Sequence, residues 1–411
     1  MDQKKILIVG GGFGGIAAAL ELETRLRSQS SGEAKVKIVL VSDKPHFEYH
    51  PALYRLVTGN SPLEICIPLR KIFANKNIEV LCDKINEVNI QENYAVGQSE
   101  SNYKFDYLIL ALGSETNYFN VPGLDKFSFG FKSISEAIRL KNHIHQLFKT
   151  CQKADTEERV CLLKFVVVGG GPSGVELSGE LAKYLEKLSK KHRVNRSLIS
   201  INLIEASENI LPMFQKEVRE KAEARLKNIG VKILKSSPVS KERLEEIEIN
   251  GIRTKTGTVI WTAGMKPNSL YQKIHGLNLD KKGRVIVNEN LLTSNTNNIF
   301  VIGDGASTTY SGMAQTAISH GKTAALNIMR LFKNRAPITH KEEKPYYSIP
   351  IGPRWALTIL GNVILSGYLG WIVRRLADFR YFYSILPLGK ALSVFRNNRN
   401  LCETCQICGD K

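Results

Sequence analysis

Two stretches of this chain are built alike. "ILIVGGGFGGIAAALE" begins at Ile6, and "VVVGGGPSGVELSGELA" begins at Val166, so that Gly169 follows Gly10 by 159 residues. Each is a short apolar strand, a glycine turn and the opening of a helix. The first glycine of each turn (Gly10, Gly169) allows the tight bend, and the second (Gly12, Gly171) lets backbone approach a pyrophosphate. The third (Gly15, Gly174) lets the helix pack against the strand, while the helix N-terminus offers amide donors and a favourable dipole. A lone glycine pattern is weak, but a strand before it and a helix after it supply the context that gives it meaning. Further strands, "VKIVLVSD", "FDYLILALGS", "ISINLIEASENIL", "GTVIWTAGM" and "NIFVIGDGA", alternate with helical segments. Such alternation predicts parallel sheets covered on both faces. The expected fold class is therefore α/β, with two doubly wound Rossmann-like dinucleotide-binding domains and a separate C-terminal module.

The two nucleotide sites are not equivalent. An acidic residue ending the second strand grips an adenosine ribose. At the second site this is Glu205, 31 residues beyond Gly174. A carboxylate there binds a free 2′-hydroxyl and repels a 2′-phosphate, which favours NADH over NADPH. At the first site the strand ends in Ser42, with Asp43 one residue on, and either side chain could serve. Asp304 in "VIGDGA" suits a carboxylate reaching a ribityl hydroxyl. With "LALGS", which contains Ala111 and Gly113, it marks the first site as that of FAD. No cysteine or histidine attachment motif stands out, so non-covalent FAD is expected. Glu176, in the first turn of the second helix, has two open readings: a charge favoured by the helix dipole, or a carboxyl beside the nicotinamide.

The expected organisation is an FAD-binding domain from residues 1–115 and 290–335, an NADH-binding domain from 116–289, and a C-terminal segment, 336–411. Within the last, Trp355–Val373 is a run of nineteen uncharged residues, near the minimum for a membrane span. Gly361-Asn362 between apolar, β-branched flanks reads instead as a β-hairpin turn. Lysine plus arginine exceed aspartate plus glutamate by 57 to 39, a net charge of +18. That excess predicts attraction to anionic surfaces. No familiar nucleic-acid-binding signature accompanies it, so a membrane surface is the expected partner rather than nucleic acid. Seven cysteines, an odd number in a long chain, speak against a secreted disulfide framework. Met1 is followed by a strand at Ile6, leaving no room for a signal peptide, and a reducing cytoplasmic setting is expected. Cys402, Cys405 and Cys408 form CxxCxxC, open to readings as a metal-ligating tail or as a redox-active or disordered one. No metal site is assigned.

The order GGGFGG, LALGS, GGGPSGVE, WTAGM, VIGDGA resembles the two-dinucleotide-binding-domain flavoproteins. Within them the chain is similar to the type II, non-proton-pumping NADH:quinone dehydrogenases. The carriers are "GGGPSGVELSGELA", "VIWTAGMKPN" and "GDGASTTYSGMAQTAISHGKTAALNI", and less specifically the tail "SGYLGWIVRRLADFRYFYSIL". The resemblance implies hydride transfer from NADH to FAD and two electrons passed on to a membrane quinone. It implies FAD contacts from Gly10, Gly12, Phe13, Gly15, Ser42, Asp43, Ala111, Gly113, Asp304 and Ala314. For NADH it implies Gly169, Gly171, Pro172, Ser173, Gly174, Glu205, Ala263 and Gly264. Glu176 matches the family's glutamate beside the nicotinamide. Ala314-Gln315-Thr316-Ala317 matches the first part of the quinone-site motif AQxAxQ, placing Gln315 at the acceptor. Its second glutamine is Ser319 here, followed by His320, which puts the acceptor's headgroup contacts in question.

The family's tail also differs, with Arg374 and Asp378 at positions where it carries tryptophan and histidine. The segment "WIVRRLADFRYFYSIL" reads as an amphipathic, monotopic anchor on the cytoplasmic face of the cell membrane, its charges at headgroup level. A homodimer or partner surface is the alternative. Sulfide:quinone oxidoreductases share the fold, but need cysteines at the flavin that Cys66, Cys82 and Cys161 are not placed to supply. A soluble disulfide reductase needs a CxxxC or CxxxxC that "HPALYRLVTGNSPLEICIP" lacks. A non-enzymatic FAD- and NAD-binding scaffold is the remaining alternative.

Overall fold

A computed structural model describes residues 3–28, 36–152 and 154–397. Six helices matter below: α1 (Phe13–Arg27), α2 (Leu53–Val57), α3 (Pro172–His192), α4 (Ala314–Phe332), α5 (Tyr368–Ile385) and α6 (Leu388–Asn397). The chain divides into two compact units. The first comprises Met1–Glu48, Ile67–Glu115 and Met265–Pro345; the second comprises Tyr49–Cys66, Thr116–Gly264 and Tyr346–Lys411.

In the first unit five parallel strands run in the order Ile299–Val301, Tyr107–Leu110, Lys4–Val9, Val36–Ser42, Ile78–Cys82. Their apolar runs (Ile6, Leu7, Ile8 and Val9 in the central strand) are buried, as parallel strands covered on both faces must be. In the second unit five parallel strands follow the same plan: Phe129–Gly130, Thr258–Trp261, Lys164–Val168, Ser200–Ile204, Val231–Leu234. In both sheets the strand that leads into a glycine turn is the third of five. The expected α/β class with two doubly wound sheets is what the chain forms.

The run Trp355–Val373 is a hairpin followed by a helix start. Ala356–Leu360 pairs antiparallel with Val363–Leu365, and Gly361 turns the chain with φ +61°. Tyr347–Pro350 adds a third strand. Among the described residues no helix is long and apolar enough to cross a membrane.

Helix α5 reverses the usual distribution of polarity. Its inward side carries Gly370, Arg374, Arg375, Asp378, Phe382 and Ile385, while Leu369, Leu376 and Tyr383 are 65%, 60% and 57% exposed. Arg374 and Asp378, read from the sequence as charges at a headgroup surface, therefore point into the protein. The reason is charge pairing. Asp378 accepts from Arg55 Nη2 at 2.9 Å, Arg375 Nη1 at 3.1 Å and the Tyr49 hydroxyl at 2.7 Å. Glu64 accepts from Arg55 at 2.9 Å and Arg375 at 2.7 Å. Arg374 donates to the Pro51 carbonyl at 2.6 Å and lies 3.4 Å from Asp378. Arg375 also lies over the Phe395 ring, 4.1 Å from its centroid, joining α6 to α5. Buried charges persist only when paired and hydrogen-bonded, and here each has partners.

Candidate functional site

The two glycine turns have the same geometry. Gly10 and Gly169 adopt φ +119° and +112°, a region that disfavours any side chain. Gly10 packs on the Ala111 carbonyl and Gly169 on Ala263, so strand ends expected to flank the nucleotides close against the turns. A Cβ on Gly15 or Gly174 would overlap the carbonyl oxygen of Gly10 or Gly169. Gly12 and Gly171 are the N-caps of α1 and α3; neither helix receives a side-chain cap, and a Cβ there would meet nothing within 4 Å. Pro172 fills the first helical position of α3, where no amide is needed, and Ser173 beside it is exposed. Open space before uncapped helix amides fits a pyrophosphate at each turn.

The ends of the second strands differ in chemistry but not in position. The Gly170 amide donates to Glu205 Oε2 at 2.7 Å, while Oε1 accepts from the Ser207 amide and hydroxyl, both at 2.8 Å. At the first site Ser42 takes the matching place: it is buried, and a Cβ on Gly11 would lie 2.7 Å from its hydroxyl. Asp43 is exposed one residue on. Phe13 packs edge-on against Phe47, ring centroids 4.9 Å apart. Gly264 approaches Phe119 and the Asn117 carbonyl, and its own carbonyl accepts from the Asn117 amide at 3.0 Å. Thr262, which the sequence did not mark, donates to the Val168 carbonyl at 2.8 Å and fixes the strand end before Ala263.

The Ser114 hydroxyl, at the end of the "LALGS" segment, donates to Asp304 Oδ2 at 2.5 Å. Just before Asp304, the Gly303 amide donates to His320 Nδ1 at 3.2 Å. His320 is fully buried; burial, with His340 at its edge, pushes its imidazole down to about 4, so it is neutral at physiological pH. A neutral ring is what accepting that hydrogen bond requires. His320 is thus an internal support of the "GDG" turn. Ala314 and Gln315 form the first turn of α4, with Gln315 exposed, and Ser319 is half-buried.

Glu176 and Glu180 stand one turn apart on one face of α3. Burial pushes Glu176 up to about 8, against the lowering pull of Arg374 and Arg55. Burial likewise raises Glu180 to about 7, against Arg55 and Arg225. Both keep some accessible surface while being densely surrounded by protein. Glu180, Arg55 and Glu64 escaped the sequence reading. The i, i+4 spacing from Glu176 could have found the first; the other two have partners more than 300 residues away. Among the described residues no group of three or more histidine, cysteine, aspartate or glutamate side chains is arranged to hold a metal ion. Cys402, Cys405 and Cys408 lie outside the described residues.

Two sheets of one plan, each leading into an uncapped glycine turn, are the architecture of a protein with two dinucleotide-binding folds. The family model described as pyridine nucleotide-disulphide oxidoreductase matches residues 4–321. The type II NADH:quinone oxidoreductase Ndh of Mycobacterium tuberculosis is 30% identical over 403 residues, spanning 92% of this chain and 84% of that protein. The chain belongs to the pyridine nucleotide-disulphide oxidoreductase family and, within it, to the type II NADH:quinone oxidoreductases. Its fold is also that of Plasmodium falciparum NDH2 solved in complex with NADH, with a TM-score of 0.85, 20% identity and 97% of each chain covered. The sulfide:quinone oxidoreductase of Aquifex aeolicus is a more distant fold relative, with a TM-score of 0.79, 17% identity and 98% of each chain covered.

Proposed function

We propose that this chain oxidises NADH and reduces a membrane quinone, the turn at Gly10–Gly15 holding FAD and the turn at Gly169–Gly174 holding NADH. FAD, when bound, supplies the two-electron relay between a hydride donor and a quinone. The remaining work belongs to the protein. Helix N-termini of α1 and α3 bind the pyrophosphates, and Glu205 orients the adenosine ribose. Ser42 and Asp43 serve the flavin's adenosine side; Asp304, held by Ser114, serves its ribityl chain. NADH, quinone and one proton give NAD⁺ and quinol, so the protein must also admit a proton. Glu176, with Arg374 opposing its burial, is placed to hold one, and Gln315 on exposed α4 is placed to meet the acceptor.

The observation that carries this reading is the matched pair Gly11/Ser42 and Gly170/Glu205: one architecture twice, a carboxylate only at the second. Membrane attachment uses the exposed face of α5, with Leu369, Leu376 and Tyr383 at intervals of seven residues, extended by the exposed Tyr368 and Leu388. This monotopic face rests on the cytoplasmic side of the cell membrane, and a homodimer is compatible with it. Anaerobic mixing of the flavin-loaded protein with NADH tests the first half-reaction by flavin bleaching, and quinone addition tests the second by recovery. NADPH at the same concentration should bleach the flavin far more slowly.

A further inference from the structure

The second unit contains a cavity of about 500 Å³ away from its glycine turn, walled by α2, α3, the loop before the hairpin and the first turn of α5. Tyr54, Tyr184 and Trp371 give it aromatic walls. Lys183, Lys187 and Lys190 line it from one face of α3, as their spacing of four and three dictates. Arg354 contributes from the loop, in a left-handed conformation with φ 54° that non-glycine residues seldom adopt. Two carboxylates share the lining. Glu186 is already matched, accepting from Lys183 and Lys190 at 2.9 Å each, and Glu180 lies at the inner end near Arg55. Arg55 is already held by Glu64 and Asp378, which leaves Arg354 and the three lysines against Glu180 and Glu186, so the cavity favours an anion.

One wall says which anion. Trp371 belongs to α5 and stacks on Tyr368, which is 57% exposed, with ring centroids 5.5 Å apart. The same helix turns Leu369 and Leu376 outward. A tryptophan between an apolar surface and a row of lysines is the arrangement found at the level of lipid headgroups. We propose that this cavity receives the phosphate headgroup of an anionic phospholipid, whose acyl chains leave along the exposed apolar face of α5. The proposal rests on the membrane attachment inferred above and adds a defined site to it: lysines of α3, outside the C-terminal segment, choose the lipid. The lysine ammoniums act as point charges on the phosphate, and the aromatic walls make the cavity roomier and less polar than a free phosphate ion needs.

The test uses the full, flavin-loaded chain and vesicles of phosphatidylcholine, with or without phosphatidylglycerol. The triple variant Lys183→Gln, Lys187→Gln, Lys190→Gln is compared with Lys104→Gln, Lys281→Gln, Lys282→Gln, which removes equal charge from exposed positions elsewhere. The first should lose at least about tenfold in binding to phosphatidylglycerol vesicles while the second changes little, and neither should alter NADH oxidation by a water-soluble quinone analogue. In parallel, phosphatidylglycerol brominated on its acyl chains should quench tryptophan fluorescence in the native chain and fail to do so in Trp371→Phe. Equal losses in the two triple variants would overturn the site, as would quenching that survives Trp371→Phe. Displacement of the brominated lipid by inorganic phosphate at comparable concentration would make the cavity a free-anion site and overturn the lipid assignment. Failure of the native chain to bind either kind of vesicle would instead overturn the membrane attachment itself.

Discussion

Single atoms decide much of what the nucleotide turns can hold. A Cβ on Gly174 would overlap the Gly169 carbonyl and crowd the Thr262 hydroxyl, so Gly174→Ala should abolish flavin bleaching by NADH while leaving bound flavin in place. Gly15→Ala, with the same overlap against Gly10, should instead yield protein with little flavin, read directly from its absorbance. Glu205→Gln removes the charge that repels a 2′-phosphate, and the preference for NADH over NADPH in kcat/KM should fall by about tenfold or more. The two turns were legible because each is a local strand–turn–helix unit that spacing reveals. Ser42 against Asp43 was not decidable that way; the contact of Ser42 with Gly11 shows which side chain stands where Glu205 does. Glu176 also carries a pH dependence. Its folded value of about 8 lies above its ordinary 4.5, so the fold favours the neutral acid. The resulting stabilisation is complete below about 4.5 and is lost as pH rises through about 8. Glu180 and Glu242, raised by burial to about 7 and about 8, act in the same sense. Thermal unfolding of Glu176→Gln should therefore fall less steeply between about pH 5 and 9 than that of the native chain; an unchanged slope would remove Glu176 from this account.

Among the elements, α5 is where sequence and structure part most. Its preceding hairpin follows from Gly361-Asn362, and it starts directly after Gly367. Its orientation has no such local signal. Arg374, Arg375 and Asp378 look like solvent-seeking charges until Arg55 and Glu64, more than 300 residues away in sequence, are set beside them. Only the folded second unit turns the charged stripe inward and the leucines outward. Burial opposes ionisation of Asp378, but Arg374, Arg55 and Arg375, with the Tyr49 hydroxyl, hold its carboxyl below the usual range. A lowered value stabilises the fold above the unfolded carboxylate's pKa, and the contribution disappears as pH falls through the folded value. Asp378→Ala would leave three arginines facing one carboxylate and should cost about 3–5 kcal/mol, measured by urea unfolding. Leu376→Glu, on the opposite and exposed side, should leave that midpoint nearly unchanged yet release the protein from vesicles. Equal destabilisation by the two variants would contradict the inverted polarity of this helix. His320 belongs to the same lesson: beside Ser319 it looked like part of an acceptor site, and in the fold it supports the turn before Asp304.

At the scale of the molecule, duplication of one βαβ plan explains why a single chain offers two uncapped helix termini. Ser42 and Glu205 give the two turns different chemistry, a hydroxyl at the first and a carboxylate at the second. That both sheets are parallel and doubly wound was readable from alternation alone, because buried parallel strands leave continuous apolar runs such as "ILIV" and "FVVV". How the chain divides was less readable: Tyr49–Cys66, which carries Arg55 and Glu64, falls in the second unit although it sits between strands of the first. Nothing in its composition marks that excursion, since its partners, the helices Ile134–Thr150 and Pro172–His192 and the C-terminal helices, are all distant in sequence. If the two nucleotide turns serve one electron path from NADH to quinone, stopped-flow absorbance of the flavin under anaerobic conditions will register both halves of it. The flavin should bleach rapidly on mixing with NADH and little with NADPH, and recover fully when a quinone analogue follows. Flavin that does not bleach with NADH, or that bleaches and does not recover with any quinone, would contradict that path.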